Sequence, residues 1–163
     1  MKELPESPRH MTNDEAEHIW SNLRQQVIDF QPDEIIAMAR SGFSYASWLA
    51  QELKLPLGAY WSDRQELITD PYSRRLLFID DNTVNGKTYL QLKAFMENKY
   101  PETYWPKIHW KFGVFFADWY TPQTILDEII IGTKLPYFAL EPMWGSRKTS
   151  QGYGVRYRDE NSI

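Results

Sequence analysis

The sequence predicts an α/β fold, with a doubly wound and mainly parallel sheet flanked by helices. Two observations support this prediction. Short apolar runs alternate with helical stretches along most of the chain, which is the pattern of parallel strands joined by helical crossovers. Polar turns that contain a glycine follow two of these runs, over residues 40–43 and 80–86. Because ligands of doubly wound sheets bind at the carboxyl ends of the strands, we expect a site at these turns.

The first half of the chain contains two predicted helices and two predicted strands. Residues 1–11 are polar with two prolines, and we expect a loose arm there. Thr12 to Glu15 has the spacing of a capping box, and apolar residues follow at helical intervals until Pro32 ends this helix. The later elements are predicted as a buried strand over 34–39, a helix over 43–54, a strand over 56–60 and a polar, flexible loop over 61–73.

The second half continues the alternation. We predict a strand over 75–79, a helix that Gly86 opens and that runs to about Lys99, and strands over 109–117 and 126–131. Three glycines among polar neighbours indicate a mobile tail over residues 146–163. The chain has no internal repeat and no dividing linker, so residues 1–163 are predicted to form one domain.

The composition excludes several kinds of function. The 163 residues carry a net charge of −4, whereas a nucleic-acid-binding face is basic, so we expect no nucleic-acid partner. There is no cysteine, which excludes disulfides and cysteine nucleophiles and is compatible with a cytoplasmic protein. No apolar run approaches the ~18 residues of a membrane span, and we expect no membrane partner. The three histidines lack metal-ligand spacing.

The segment Leu76 to Thr88, LLFIDDNTVNGKT, is the most informative part of the sequence. Four apolar residues precede two acids, Asp80 and Asp81, and a turn with Gly86 then opens a helix. Backbone N–H groups at such a turn can hold a phosphate. The acids would repel that phosphate, so they are better suited to ribose hydroxyls or to a magnesium ion.

Three interpretations of this segment remain open. The acids could merely cap the helix. The residues from Asn85 to Thr88 also match the second half of a P-loop, but that pattern requires glycine where this chain has Asp81. The third interpretation is a site for phosphoribosyl diphosphate (PRPP).

The same segment resembles the PRPP-binding motif of type I phosphoribosyltransferases, which has apolar residues, two acids, a short loop and then Gly-x-Thr. The resemblance implies that family's fold, an α/β sheet with a small hood. It implies that Asp80 and Asp81 hold the ribose hydroxyls, directly or through Mg²⁺. It also implies that the loop residues bind the 5′-phosphate of PRPP: Val84, Asn85, Gly86, Lys87 and Thr88.

A second match is to the pyrophosphate loop of this family, an apolar strand followed by Arg-Gly-Gly. In this chain the loop is Arg40, Ser41 and Gly42, with serine in place of the middle glycine. The resemblance implies that these residues contact pyrophosphate, and arginine suits that contact because it donates several hydrogen bonds at fixed charge. Taken alone, Arg40 would be read as a surface arginine.

A third match lies near the C-terminus. Phe116-Ala117, residues 126–131 and residues 138–144 look like the last strands and the hood of bacterial xanthine-guanine phosphoribosyltransferases. An aromatic residue four positions before a proline stacks on the purine in that subfamily, and Phe138 has this place. The alternative role of Phe138 is that of a core aromatic residue.

The chain departs from the purine members of the family at three positions. Val84 and Asn85 stand where those enzymes carry an acid and a threonine, so the carboxylate that handles the purine's ring proton is missing. Asp118 stands where they have a lysine for the exocyclic oxygen; it could accept a hydrogen bond from an amino group, or it could face solvent. Arg64, in the short loop over 61–73, is either a catalytic cation or a solvated charge.

These observations predict a phosphoribosyltransferase that acts on PRPP and a nucleobase-like acceptor, a purine being favoured, with Asp80, Asp81 and Arg40 in catalytic roles. The expected cofactor is Mg²⁺, and a homodimer is an option because family members commonly dimerise. The alternative is an inactive module of the same fold that binds PRPP or a nucleotide for regulation, because Val84, Asn85 and Asp118 depart from the active pattern.

Overall fold

The computed structural model describes residues 9–10, 13–118, 120–134, 140–141, 148–149 and 152–153. Its elements, in chain order, are β1 (Arg9–His10), α1 (Asn13–Phe30), β2 (Glu34–Ala39), α2 (Phe43–Leu53), β3 (Leu57–Trp61), β4 (Glu66–Ile68), β5 (Arg75–Thr83), α3 (Lys87–Lys99), β6 (His109–Ala117), α4 (Gln123–Leu126), β7 (Ile130–Lys134), β8 (Leu140–Glu141), β9 (Lys148–Thr149) and β10 (Gly152–Tyr153).

Six strands form the central sheet in the order β4-β3-β2-β5-β6-β7. All neighbouring pairs are parallel except β3 and β4. The chain passes from β2 outward to β3 and then returns to place β5 on the other side of β2. The predicted doubly wound, mainly parallel sheet is confirmed, and its order reverses between β2 and β5.

Helices cover both faces of the sheet and create two apolar cores. One core lies under α1 and α2 and includes Leu23, Tyr45 and Phe115, all fully buried. The other lies under α3 and includes Phe78, Leu92 and Phe112. Both faces of the inner strands are therefore buried, which explains why β2 and the first half of β5 read as continuous apolar runs rather than alternating ones.

Strand β5 is longer than predicted. The sequence placed its end at Ile79 and the two acids in a turn, but the strand continues through Thr83. Asp80 pairs with Val114 of β6 and Thr83 pairs with Ala117. Ladder bonds to the apolar strand β6 thus extend β5 through a polar stretch that its own composition marked as a turn.

Three other predictions for the sheet differ from the structure. The polar loop over 61–73 contains β4, which forms an antiparallel hairpin with β3. The strand predicted over 126–131 is also displaced, because Pro122 starts a short helix in which the amide of Leu126 donates to the Pro122 carbonyl oxygen at 3.1 Å. The strand begins at Ile130 instead and pairs with β6. Strand β3 is shifted by one residue from its predicted span, to Leu57–Trp61.

The termini are paired in part. Arg9 and His10, in the arm expected to be loose, align parallel with Leu140 and Glu141. The predicted mobile tail contains an antiparallel pair between β9 and β10. Thr12 of the predicted capping box lies outside the described residues, as do residues 138–139 and 142–144 of the segment compared with the hood. Within the described ranges, no helix is both long enough and apolar enough to cross a membrane.

Candidate functional site

The two turns singled out from the sequence lie side by side at the reversal of strand order. Arg40, Ser41 and Gly42 follow β2, and Asp80 lies in β5, its parallel neighbour. The hydroxyl of Ser41 donates to Oδ1 of Asp80 at 3.1 Å. The serine that replaces the family's glycine therefore links the two segments directly, at the place where doubly wound sheets bind ligands.

Asp80 is the most buried acid of the site. Its side chain is 8% exposed, and Oδ1 also accepts from the amide of Asp81 at 2.9 Å. Burial raises the pKa of Asp80 well above its ordinary value, the nearby charge of Asp81 adds to this effect, and the bonds from the Asp81 amide and from Ser41 oppose it. The neighbouring Asp81 is only partly buried and accepts from the amide of Asn82 at 2.9 Å. The site thus holds one carboxylate that resists ionisation and one that is open to solvent.

The turn from Val84 to Gly86 connects β5 to α3. Gly86 has φ of 80°, and a Cβ atom there would meet Cγ1 of Ile125 at 2.8 Å. Both the backbone conformation and the packing therefore require glycine. Helix α3 has thirteen residues and directs its N-terminus toward this turn. The side chain of Asn85 caps it by accepting from the amide of Lys87 at 3.0 Å, so a bound phosphate would compete with Asn85 for that amide.

The loop of Arg40, Ser41 and Gly42 contains one exposed cation and one tightly packed glycine. Arg40 is exposed, and the peptide bond that precedes it is cis. A Cβ atom on Gly42 would overlap the carbonyl oxygens of Met38 and Ile79. The amide of Gly42 donates to Met38 at 2.8 Å. Gly42 therefore lets the loop pack against β5, where the Ser41 hydroxyl bonds to Asp80.

Trp61 brings a second arginine to this end of the sheet. The residue pairs with Ala39 at the carboxyl end of β3. The guanidinium carbon of Arg40 lies 5.7 Å from the indole centroid, and that of Arg64 lies 4.5 Å from it. Both distances are within the range of cation–π contacts. Sequence reasoning missed Trp61, although its position at the end of a predicted strand, next to the polar loop, was a usable signal.

Asp118 and Phe138 were the residues assigned to the base. Asp118 is 4% exposed, so the interpretation of a solvent-facing acid is wrong. Its Oδ1 accepts from the amide of Tyr120 at 3.1 Å. Its own amide donates to the carbonyl oxygen of Thr83 at 2.9 Å, which places Asp118 beside the turn from Val84 to Gly86. Phe138 lies outside the described residues.

The acids of the site fit a magnesium ion that is shared with a substrate. Among the described residues, no group of three or more acids or histidines is placed to hold a metal by itself. Mg²⁺ at phosphate-transfer sites is commonly bound by one or two carboxylates together with substrate phosphates and waters. Asp80 and Asp81 supply two such carboxylates, so the donor set fits a substrate-bridged ion.

Comparisons with known proteins show the fold. The structure is similar to a purine phosphoribosyltransferase from Pyrococcus horikoshii, with a TM-score of 0.62 and 16% identity over 86% of this chain and 97% of that one. It is similar to a xanthine-guanine-hypoxanthine phosphoribosyltransferase from Helicobacter pylori, with a TM-score of 0.61 and 11% identity over 85% and 91% of the two chains.

A third similar structure is an orotate phosphoribosyltransferase from Aeropyrum pernix, with a TM-score of 0.57 and 14% identity over 76% of this chain and 72% of that one. No family model matches the sequence. The search of curated proteins gave no significant match either. The fold is that of type I phosphoribosyltransferases, reached at a sequence identity too low for the comparisons to assign a substrate.

Proposed function

We propose that this protein is a phosphoribosyltransferase, which moves ribose 5-phosphate from PRPP to a nitrogen of a nucleobase-like acceptor and releases pyrophosphate. The observation that carries the proposal is the hydrogen bond between Ser41 and Asp80. It joins the two PRPP-like motifs at the reversal of strand order, in a fold shared with phosphoribosyltransferases for purines and for orotate.

Each part of PRPP would meet a different element. The turn from Val84 to Thr88 would hold the 5′-phosphate with backbone amides and the Thr88 hydroxyl, at the positive end of α3. The two carboxylates, Asp80 and Asp81, would hold the ribose hydroxyls. Arg40 and Ser41 would hold the pyrophosphate, while Gly42 keeps their loop packed on β5. Arg64, held against Trp61, is a second cation for the same group.

The reaction breaks the bond between ribose C1 and the pyrophosphate oxygen and forms a bond between C1 and the acceptor nitrogen. Pyrophosphate leaves with the electron pair of the broken bond, and the acceptor nitrogen gives up its proton. Positive charge develops on the ribose ring during this exchange, so catalysis consists mainly of positioning and charge stabilisation. Val84 stands where purine enzymes of this fold carry an acid, so the proton of the acceptor nitrogen would pass to the released pyrophosphate or to water.

Magnesium would be held by Asp80 and Asp81 together with the substrate, and when bound it would neutralise charge on the departing pyrophosphate.

The acceptor would lie toward Asp118 and Phe138, with purines as the first class to test. Asp118 can accept a hydrogen bond but cannot donate one to a carbonyl oxygen when ionised. An acceptor with an exocyclic amino group fits this position better than one with a carbonyl group. Nucleobase salvage, a cytoplasmic location and a homodimer stay predictions.

Changing both carboxylates tests the proposal. The double variant Asp80→Asn with Asp81→Asn is expected to abolish pyrophosphate release from PRPP. The assay contains Mg²⁺ and the base that the wild-type protein uses. Activity is lost because amides cannot replace carboxylates as ligands of the ribose hydroxyls and the metal. Asp29→Asn, an exposed acid at the end of α1, is the matched control and is expected to keep full activity. Circular dichroism would check that both variants fold. Activity retained by the double variant would refute the assignment.

The second candidate is a non-catalytic module that binds PRPP or a nucleotide, and Val84 favours it because the acid for the base proton is absent. Calorimetry with PRPP and Mg²⁺, followed by a pyrophosphate-release assay over a panel of bases, separates the two. Binding without release for every base supports the module. Absence of binding contradicts both functions.

A further inference from the structure

We name the turn from Val84 to Gly86, proposed above to bind phosphate, the phosphate turn. The segment that follows β6 runs alongside this turn and the end of β5 and contacts them at successive points. We name Asp118 and residues 120–128 the bracing segment. Its first contact is the amide of Asp118, which donates to the carbonyl oxygen of Thr83 at 2.9 Å. Its second is the hydroxyl of Thr121, which donates to the carbonyl oxygen of Val84 at 2.7 Å and lies 3.3 Å from that of Thr83.

Further contacts continue along α3. Ile125 packs so closely against Gly86 that a Cβ atom on the glycine would collide with it. Glu128 accepts from the hydroxyl of Tyr89 at 2.5 Å and lies 3.3 Å from Nζ of Lys93. The bracing segment therefore follows β5, the phosphate turn and the start of α3 almost residue by residue.

Thr121 occupies the central position of this contact. Its side chain is 4% exposed, and both carbonyl oxygens near its hydroxyl belong to the backbone that leads into the turn. The Thr83 carbonyl also has the amide of Asp118 as a donor, so the hydroxyl of Thr121 acts mainly on the partly buried carbonyl of Val84. A carbonyl that loses its donor costs free energy, so the hydroxyl and the Asp118 amide together hold these two peptide groups in one orientation. The alternative role, a structural threonine that stabilises the fold as a whole, predicts equal effects on every ligand.

The orientation of the carbonyl groups fixes the direction of the neighbouring amides. In a trans peptide unit the C=O and the following N–H point in opposite directions, and the peptide bonds after Thr83 and Val84 are trans. Since the carbonyls of these two residues point toward the bracing segment, the amides of Val84 and Asn85 point away from it. These amides are the first two donors of the proposed phosphate turn.

We propose that Thr121 is a positioning residue for the 5′-phosphate of the ligand, acting through the peptide groups of Thr83 and Val84. The inference rests on the proposed function, because it takes the phosphate turn as a binding site. It assigns to the β6–α4 connection a role that the sequence motifs do not indicate. The pyrophosphate loop follows β2, on the opposite side of β5 from the bracing segment.

Single substitutions test this role by calorimetry with ribose 5-phosphate and, separately, with pyrophosphate and Mg²⁺. Thr121→Val keeps the shape and removes the hydroxyl, and it is expected to weaken ribose 5-phosphate binding about tenfold, as for the loss of one well-made hydrogen bond. Thr121→Ser keeps the hydroxyl and is expected to bind within about twofold of the wild type. Pyrophosphate affinity is expected to stay unchanged in both variants.

Thr124→Val is the matched control, because this threonine lies three residues along the same segment and is exposed. Thr121→Ala tests the same loss if the valine variant does not fold. Wild-type affinity in the valine or alanine variant would overturn the inference, and so would an equal loss of both ligands. If the wild-type protein itself fails to bind ribose 5-phosphate and PRPP, the proposed function fails, and the role of Thr121 fails with it.

Discussion

Asp80 is held in surroundings that disfavour its charge. The carboxyl is buried, Asp81 lies next to it, and its pKa is raised well above the ordinary value. Ribose hydroxyls and magnesium are bound best by an ionised carboxylate, because only that form offers all of its oxygen lone pairs. A ligand that binds Asp80 must therefore favour the ionised form of a group whose pKa burial has raised.

Ligand binding is expected to release protons from Asp80. A ligand that prefers the ionised form lowers the pKa of the group, so affinity for PRPP with Mg²⁺ should rise with pH until the raised pKa is passed, and then level off. Calorimetry in two buffers with different ionisation enthalpies measures the protons released. Asp80→Asn should release fewer protons than the wild type; equal release would contradict this role.

The same raised pKa affects the stability of the unliganded protein. The contribution of Asp80 to the free energy of unfolding is fully present below the ordinary pKa of an aspartate. It is lost as the pH rises through the raised pKa of Asp80. Replacing Asp80 with asparagine should therefore leave the free energy of unfolding unchanged or increased at neutral pH. A residue that costs stability in the free protein is typical of a binding site.

At the scale of elements, the turn between β5 and α3 depends on a single glycine. Gly86 adopts a positive φ that other residues rarely adopt, and Ile125 fills the space where a side chain would begin. The bracing segment thus leaves no room for a side chain at position 86, and it also donates a hydrogen bond to the carbonyl oxygen of Val84. The turn's shape is set by its neighbours in space and not by its own sequence alone.

Gly86→Ala is expected to destabilise the protein by about 2 kcal/mol or more, since it combines backbone strain with overpacking. Urea unfolding measures this change. Gly113→Ala is the matched control, because its tightest Cβ contact would be the end of the Ile79 side chain at 3.0 Å, its contacts with Ile130 would be ordinary ones at 3.5 and 3.7 Å, and its φ is not positive. A cost at Gly86 no larger than the cost at Gly113 would contradict the argument.

At the scale of the whole molecule, the proposed ligand would span two halves of one sheet. The pyrophosphate loop follows β2, which leads through α2 to β3, while the phosphate turn follows β5 and rests on the bracing segment after β6. The two apolar cores lie on opposite faces of these same strands. A ligand bound at the reversal of strand order would therefore connect the loop after β2 with the turn after β5, which lie far apart in the sequence.

PRPP with Mg²⁺ is expected to raise the melting temperature more than ribose 5-phosphate or pyrophosphate does at the same concentration. A ligand that binds only the folded state stabilises it by about 2.7 kcal/mol at a hundredfold excess over its Kd. Of the three ligands, PRPP alone carries both a 5′-phosphate and a pyrophosphate, so it alone would reach both turns of the proposed site. Thermal unfolding with each ligand tests this, and equal shifts for the three ligands would argue against a site that spans both turns.

The sequence by itself determined the parts of the fold that local patterns encode. Strands β2 and β6 have the predicted bounds because each is an apolar run long enough to be buried wherever it pairs. The helix after Gly86 was also predictable from local signals, because a glycine precedes a stretch with a helical pattern. The resemblance to a PRPP motif also needed only adjacent residues, and it led to the fold that the structure has.

The tertiary structure decided what depends on contacts between distant segments. Ladder bonds to β6 made Asp80 part of a strand, and the pairing of Ile130 with Gly113 fixed β7 later than its apolar run suggested. Contacts across the sheet, which no local pattern records, buried Asp118 and brought Thr121 to Val84. The motif could therefore be read from the sequence, whereas the raised pKa of Asp80 and the support of the turn before Gly86 follow from packing between residues far apart in the chain.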